Sequence, residues 1–309
     1  MNARCTYLLF VLAGCHAAKP DATEEKKPEI ISLLGVSYFA PLEINPKLDS
    51  NLLLAQQKFD AHQSEENYIW LGRRTAYLGR YNEAIRIFSE GIEKYPNSAK
   101  LYRHRGHRYI SQRKFDTAIL DFEKAVELVR NSPLEIEPDG QPNKLNIPLS
   151  TTQFNIWYHL ALAHYLKGDF AKAEVAYRQC LLVSNNNDLF IATADWLYMA
   201  LRRQSKLREA QTLLDSVRES LPIIENDSYY NRLQFYKGKR GVEEVLNPDP
   251  KSEDYDLALA TQGYGVANWY LYSGDSLKAK EIFSQIVGRK HFSSFGFIAA
   301  EADLARMQQ

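Results

Sequence analysis

Residues 68–97, YIWLGRRTAYLGRYNEAIRIFSEGIEKYPN, and residues 102–130, YRHRGHRYISQRKFDTAILDFEKAVELVR, contain one pattern twice, 34 residues apart. Its aromatic, glycine and alanine positions recur together: Tyr68 as Tyr102, Gly72 as Gly106, Tyr81 as Phe115, Ala84 as Ala118 and Phe88 as Phe122. Small residues allow two helices to cross closely, and apolar residues three and four apart give each helix one apolar stripe. A single unit cannot bury that stripe, so neighbouring units must cover it.

This pattern resembles the tetratricopeptide repeat, a helix-turn-helix unit. The resemblance implies an all-α fold, a right-handed α-solenoid of about five to six helix pairs with capping helices at its ends. We expect the solenoid to occupy residues 46–309, with its parts placed as follows: a capping helix at 46–61, repeats near 65–98, 99–132, 154–187, 191–224 and 260–290, a degenerate pair at 226–247 and a C-terminal cap at 292–308.

An insertion at residues 133–153 delays the third repeat. It contains four prolines, at positions 133, 138, 142 and 148, and an Asp139-Gly140 turn signal. Insertions in solenoids form loops, often over the binding face, and the alternative is a solvent-exposed linker. The acidic residues Glu135, Glu137 and Asp139 are expected to face water rather than to bind calcium.

The N-terminus resembles a bacterial lipoprotein signal peptide. Arg4 precedes an apolar run, Tyr7 to Leu12, and the sequence Leu-Ala-Gly-Cys ends at Cys15. The run is too short to span a bilayer as a permanent helix. The resemblance implies a signal peptide at 1–14, lipid on Cys15, and a tether with an N-terminal extended segment at 15–45. The alternatives are an ordinary secretory signal or an apolar N-terminal helix.

His16 after the cysteine implies, by the same resemblance, an outer-membrane protein of the bacterial cell envelope that faces the periplasm or the exterior. Lysine plus arginine balances aspartate plus glutamate at 38 each, so nothing favours nucleic acid as a partner. Of three cysteines, Cys5 is lost with the signal peptide and Cys15 carries the lipid. Cys180 occupies an interior repeat position, so no disulfide framework is expected.

The concave face of such a solenoid is lined by the first helix of each pair, and the repeat phase places particular residues there. Aromatic residues and arginines, which are enriched in binding hot spots, dominate this set. The candidate groove residues are Trp70, Arg73, Tyr77, Arg103, His104, His107, Tyr158, His159, Tyr165, Asp195, Trp196, Arg202, Arg203, Tyr264, Asn268 and Tyr272.

These residue types suit an extended protein segment, since guanidinium binds carboxylate and aromatic rings stack. We therefore expect a protein-interaction or assembly scaffold that binds a protein or peptide partner and needs no cofactor. The alternative is a small-molecule or glycan receptor, favoured if the insertion closes a narrow groove.

A metal-dependent enzyme is the contrasting class. His104 and His107 share a helix face, and His159 lies at the equivalent place on the next repeat, so these three are weak candidates for zinc ligands. No carboxylate or cysteine completes a metal site, and no HExxH, GxSxG, phosphate-loop or paired CxxC motif is present. The sequence therefore favours a binding protein over an enzyme.

Overall fold

The computed structural model describes residues 27–41, 45–246 and 255–308. The signal peptide predicted for 1–14, the lipid site Cys15 and the tether up to residue 26 lie outside the described residues. The segment at 27–41, expected to be extended, forms a small antiparallel hairpin of β1 (Ile30–Ile31) and β2 (Ser37–Tyr38), with Ile30 opposite Tyr38.

The rest of the described chain is helical. Its elements are α1 (Pro46–Ala61), α2 (Glu65–Tyr77), α3 (Tyr81–Lys94), α4 (Ala99–Ser111), α5 (Phe115–Val129), α6 (Thr152–Lys167), α7 (Phe170–Val183), α8 (Asn187–Arg203), α9 (Leu207–Ser216), α10 (Asp227–Tyr236), α11 (Val242–Leu246), α12 (Tyr255–Tyr272), α13 (Ser276–Val287) and α14 (Phe295–Met307). Six helix pairs follow α1 in the described residues, and the all-α solenoid predicted from the sequence is confirmed. Among these helices, none has the length and apolar character needed to cross a membrane.

Side-chain caps begin the first helix of several pairs. Ser64, Ser98, Thr151 and Asn186 each accept a hydrogen bond from the backbone N–H three residues later. Such caps satisfy an N–H group that has no partner within the helix. They fix where α2, α4, α6 and α8 begin, and therefore which side chains these helices place on the concave face.

The turn within each pair needs one residue in the left-handed region. Glycine occupies it at Gly79, Gly168, Gly238 and Gly274, with φ of 74°, 92°, 71° and 97°. In two pairs the position is held by a residue with a side chain, Arg113 at φ 63° and Ser205 at φ 59°. This conformation costs a residue with a Cβ about 1–2 kcal/mol.

Close helix crossing explains the recurring glycine of the repeat. A Cβ added at Gly106 would lie 3.0 Å from the Phe122 ring, and one at Gly72 would overlap the ring of Phe88. Ala84 and Ala118, on the facing helices, are fully buried. The aromatic rings can therefore pack against bare backbone, and this contact lies in the core of the first two units.

The C-terminal helix α14 lies in the concave face as well as at the end of the solenoid. It runs beside α6, with the Phe295 ring 5.5 Å from that of His159 and Arg306 Nη1 donating to Leu166 O over 2.8 Å. Gly296 lets α14 approach α12, because a Cβ there would overlap the carbonyl of Ala260. All positions from Gly296 to Leu304 are buried. The expected cap at 292–308 thus also fills part of the groove.

The N-terminal hairpin packs against the same C-terminal region. Tyr38 stacks on Phe292 with ring centroids 4.5 Å apart, and Leu33 N donates to the carboxylate of Glu301 over 2.6 Å. On its other side, Gln112 Nε2 donates to Glu29 O over 3.1 Å. The hairpin therefore bridges the second repeat and α14, and the two ends of the described chain meet.

Candidate functional site: an arginine and histidine cavity

A cavity of about 150 Å³ lies between α2, α4, α6 and the beginning of α14. Its wall consists of Arg73, Ala76, Tyr77, Phe88, Arg103, His104, His107, Arg108, His159 and Phe295. Six of these, namely Arg73, Tyr77, Arg103, His104, His107 and His159, are candidate groove residues from the sequence. The repeat phase brings them together because they lie on the first helices of three successive pairs.

The insertion contributes a carboxylate to this cavity. Glu137 is buried, with its Oε1 3.0 Å from Arg103 Nη2 and 3.8 Å from His104 Nε2. The expectation that it faces water is therefore wrong. The chain holds Glu137 there by pairing the two ends of the insertion, with Glu137 N donating to Ser150 O over 3.0 Å. The sequence left two interpretations of residues 133–153, a loop over the first helices or a solvent-exposed linker. In the structure the loop packs against the first helices α2 and α4.

The Asp139-Gly140 turn fits tightly against α2. A Cβ at Gly140 would overlap the Tyr77 hydroxyl and would lie 2.7 Å from Arg73 Nη2. Arg74 Nη1 donates to Gly140 O over 2.8 Å. Only glycine allows this approach without displacement, so the turn residue anticipated from sequence also positions the insertion at the cavity.

The histidine protonation states follow from their partners. Arg103 Nη1 lies 2.8 Å from His104 Nδ1, and because guanidinium can only donate, this ring nitrogen accepts. His159 Nδ1 lies 2.6 Å from Asn155 O, a carbonyl that can only accept, so Nδ1 carries a proton. A neutral His159 then has its lone pair on Nε2.

Burial holds these rings neutral. It lowers the pKa of His104 well below its usual value, with the Arg103 charge acting in the same direction. Burial likewise lowers the pKa of His107 and of His159 well below the usual value, assisted by Arg108 and Arg103 respectively. Protonation at this site would place a further positive charge among guanidiniums.

The weak zinc candidates do lie near one another, since the rings of His107 and His159 have centroids 4.5 Å apart. Across the described ranges, however, no group of three or more histidine, cysteine, aspartate or glutamate side chains is arranged to hold a metal ion. The arginines in the same wall also oppose a cation, because like charges in a partly buried site repel strongly. The arrangement suits an anion better than a metal.

The cavity has more cationic than anionic groups. Arg73 is buried, Arg108 is half-buried, and within the described residues neither has a carboxylate within 4.0 Å. Arg103 is paired with Glu137, yet its Nε is buried without a hydrogen-bond partner. Burial lowers the pKa of both Arg103 and Arg108, which shows that the structure gives these charges little solvation.

The C-terminal half of the predicted groove is closed. Tyr158, Tyr165, Asp195, Trp196, Tyr264 and Asn268 are all buried rather than facing an open groove. Trp196 stacks on Tyr264 with centroids 5.7 Å apart, and the Tyr264 hydroxyl donates to that of Tyr165 over 2.8 Å. First helices α6, α8 and α12 thus meet across the concave side, which removes the groove there.

Asp195 is a predicted groove residue whose charge is neutralised inside the solenoid. It forms an ion pair with Arg232 of α10, both side chains being fully buried, and Arg232 Nε donates to Asp195 Oδ1 over 2.9 Å. Asn268 similarly accepts from Arg203 Nη1 over 3.0 Å. These two residues are therefore engaged within the solenoid, where the sequence suggested contact with a partner.

The remaining candidate groove residues lie at two separate openings outside the central cavity. Arg202, Arg203 and Tyr272 line an opening of about 360 Å³ where α8, α12 and α14 end, and Arg203 pairs with Asp303 at 2.9 Å. Trp70 is half-buried beside a cavity of about 350 Å³ between α1 and α2, with the Arg73 and Arg74 guanidiniums 4.5 and 4.9 Å from its ring centre.

Four of the ten wall residues are not among the candidate groove residues: Ala76, Phe88, Arg108 and Phe295. Glu137, which contacts Arg103, was not anticipated at the cavity either. Arg108 follows His104 by four positions and so shares its helix face, a periodicity that could have identified it. No local pattern could have placed Glu137 or Phe295, since both reach the cavity through contacts distant in the sequence.

Residues 71–133 match one tetratricopeptide repeat family model, and residues 154–187 match another. The chain contains tetratricopeptide repeats. The matched stretches cover most of α2, all of α3 to α5, most of α6 and all of α7, and so include every helix of the first three pairs. The cavity described above lies within this tetratricopeptide region, apart from Phe295.

The tetratricopeptide region also has similarity to individual proteins. Human tetratricopeptide repeat protein 13 is 44% identical over 57 residues, which are 18% of this chain and 6% of that protein. The chain thus matches only a small part of that relative's length. Among solved structures, YrrB, described as a TPR protein with an unusual peptide-binding site, is 14% identical with TM-score 0.42, over 81% of this chain and 97% of its own. MamA from AMB-1 is 17% identical with TM-score 0.41, over 55% and 86%.

Proposed function

We propose that this protein is a lipid-anchored scaffold of the bacterial cell envelope that binds a protein segment along α2. The observation that carries the proposal is a row of three cavities along this helix, of about 350, 150 and 400 Å³, of which the second and third share lining residues. The helix supplies Trp70 and Arg74 to the first, Arg73 and Tyr77 to the second, and Tyr77 to the third. A row of pockets suits successive side chains of an extended segment.

The chemistry of the row defines the partner. Trp70 and Tyr77 offer ring surface that is partly exposed, and arginines stand beside them. Leu54 adds an exposed apolar side chain at the α1 end. A segment that combines acidic and apolar residues would match this surface, because arginine binds carboxylate with two parallel hydrogen bonds and rings bury apolar area.

A binding role also fits the state of the groups that could catalyse a reaction. The cavity histidines are held neutral by burial, and burial raises the pKa of the Cys180 thiol to about 12. A nucleophilic cysteine needs a lowered pKa and access to substrate, and Cys180 is fully buried.

The experiment is a crosslinked pull-down from native membranes, read by mass spectrometry, with two matched double variants. Trp70→Ala/Tyr77→Ala removes half-buried rings from the row and leaves the core intact. Leu182→Ala/Leu277→Ala removes exposed apolar side chains from second helices α7 and α13. We expect the first variant to lose the partner and the second to keep it. Loss only in the second would place the interface on the convex face.

The membrane part of the proposal rests on the sequence resemblance at Cys15. Incorporation of labelled palmitate that disappears in Cys15→Ser would support it, and a chain that remains unlabelled in both forms would refute it. The outer-membrane position would then be tested by separating the two membranes and assaying each for the protein.

A receptor for a small ligand is the second candidate, and one observation favours it. The insertion covers the central cavity by way of Glu137 and Gly140, so this site is partly enclosed rather than an open groove. A ligand confined there would need no partner protein.

A further inference from the structure

The central cavity carries a net positive charge from its own side chains. Three guanidiniums lie in its wall: Arg73, Arg103 and Arg108. Two carboxylates face them, Glu137 in contact with Arg103 and Asp139 within electrostatic range of Arg73. The histidines add no charge while neutral. An excess of one positive charge therefore remains in this partly enclosed site.

The hydrogen-bond donors are also underused. Arg103 Nε is buried and has no partner, although the residue itself is 7% exposed. Arg73 and Arg108 rest against rings, with guanidinium carbons 4.5 Å from the Trp70 ring centre and 5.6 Å from that of Tyr81. Buried polar groups in native proteins are nearly always hydrogen-bonded, and an unsatisfied one costs about 1–3 kcal/mol. A ligand with several acceptor oxygens would bind the guanidiniums of Arg73 and Arg108, which line the cavity without a hydrogen-bond partner among the described residues.

We propose that this cavity binds a tetrahedral oxyanion, either inorganic phosphate or the phosphoryl group of a small phosphomonoester. The net positive charge of the wall attracts an anion, and arginine forks match phosphate oxygens with parallel hydrogen bonds. The inference goes beyond partner binding along α2 and develops the receptor alternative, since the isolated protein should bind the anion.

The dimensions agree with this ligand. One water molecule needs about 10–15 Å³ of such space, so the cavity of about 150 Å³ has room for the five non-hydrogen atoms of phosphate. A wider opening of about 400 Å³ shares Ala76, Tyr77, His107 and Arg108 with it and is completed by Gln141 and Ser293. An ester group would occupy this opening while its phosphoryl group lies among the arginines.

Arg108 is the residue to change. It is half-buried and has no carboxylate partner among the described residues, so Arg108→Gln removes a ligand donor without leaving an unpaired buried acid. Arg103→Gln would strand Glu137 and could unfold the protein. The matched control is Arg86→Gln, which removes an exposed guanidinium on α3 that pairs with Glu90.

The test is titration calorimetry and thermal denaturation of the full chain in phosphate-free buffer, with sodium phosphate, sodium sulfate, glycerol 3-phosphate and sodium acetate at equal ionic strength. We expect saturable one-to-one binding of phosphate, weakened about tenfold or more by Arg108→Gln and unchanged by Arg86→Gln. Circular dichroism confirms that both variants fold. Tighter binding of glycerol 3-phosphate than of phosphate would assign the site to an ester, and the reverse to the free anion.

Three results would overturn the proposal. The first is the absence of saturable binding of phosphate, sulfate and glycerol 3-phosphate. The second is binding of acetate as tight as that of phosphate. The third is a phosphate affinity that Arg108→Gln leaves unchanged. None of these results affects a pull-down with Trp70→Ala alone, because Trp70 lines the cavity between α1 and α2 and does not line the central cavity, whereas Tyr77 does. The anion site and the partner surface can therefore fail separately.

Discussion

Arg113 and Glu301 are 188 positions apart in the sequence and form a buried ion pair, with Nη2 and Oε2 separated by 2.8 Å. Arg113 holds the left-handed position of the α4–α5 turn, where four other pairs in the described chain have glycine. Its side chain also donates to Phe292 O over 2.8 Å, and Glu301 accepts from Leu33 N. One ion pair thus joins the second repeat, the N-terminal hairpin and α14.

The first prediction concerns this pair. Removing one partner of a buried ion pair leaves an uncompensated charge, so Glu301→Gln and Arg113→Met should each lower the free energy of unfolding by about 3–5 kcal/mol. Arg113→Gly should also destabilise the protein, although it relieves the turn. The double variant Arg113→Met/Glu301→Met should recover most of the loss. Urea denaturation measures all four, and additive single effects would contradict the coupling.

The second prediction concerns the turn of the insertion. Gly140→Ala places a methyl group against Tyr77 and Arg73, so the insertion must move and stability should fall by about 1–3 kcal/mol. Gly241→Ala is the matched control, because no atom lies within 4 Å of its Cβ position. Equal melting temperatures for the two variants would show that the insertion is not docked on α2.

The third prediction is a dependence of stability on pH. The folded state keeps His104, His107 and His159 neutral because burial and arginine charges lower their pKa values. The unfolded chain takes up these protons below about pH 6.5. Stability is therefore fully present above that pH and is lost as the pH falls, by about 1.4 kcal/mol per unit for each histidine.

Guanidinium denaturation between pH 7.5 and 5, in buffer without phosphate, measures this slope. His107→Gln should reduce the slope by about one quarter, because burial also lowers the pKa of His164 and one of four proton uptakes is removed. A slope that is absent in the native protein, or that the variant leaves unchanged, would place the histidines in contact with solvent.

The fourth prediction concerns Cys180. Burial raises the pKa of its thiol to about 12, and its Sγ lies 3.3 Å from Thr193 Oγ1. The native protein should therefore not react at this residue with a maleimide at pH 8, whereas the denatured protein should react fully. Rapid labelling of Cys180 in the folded state, located by peptide mass spectrometry, would refute the packing of α7 on α8.

The helix pairs could be predicted because their causes are local. Gly72, Ala84 and Phe88 recur at a fixed period, and each must pack against its own unit or the next. The same phase places Arg73, Arg103 and His107 on first helices, and the structure brings them to one cavity. A resemblance over repeats therefore gives both the helices and the side chains that share a face.

The closure of the concave side could not be predicted in the same way. Trp196 does lie on a first helix. Its exposure to solvent depends on Tyr264, which is 68 positions later in the sequence, and on the curvature of the whole solenoid. Glu137 and Arg232 pair with residues of other units through contacts that no periodic pattern encodes. Their roles became visible only from the folded chain.

Helix α14 fills the concave face and leaves the α2 side for a ligand or partner. Hydrogen–deuterium exchange of the backbone amides at 297–304 tests this placement, with Gly296→Val as the variant that forces α14 away from Ala260. We expect these amides to exchange as slowly as those of α6 in the native protein and much faster in the variant. Native amides that exchange within seconds, as in a frayed terminal helix, would contradict this placement of α14 and reopen the concave face beside α6.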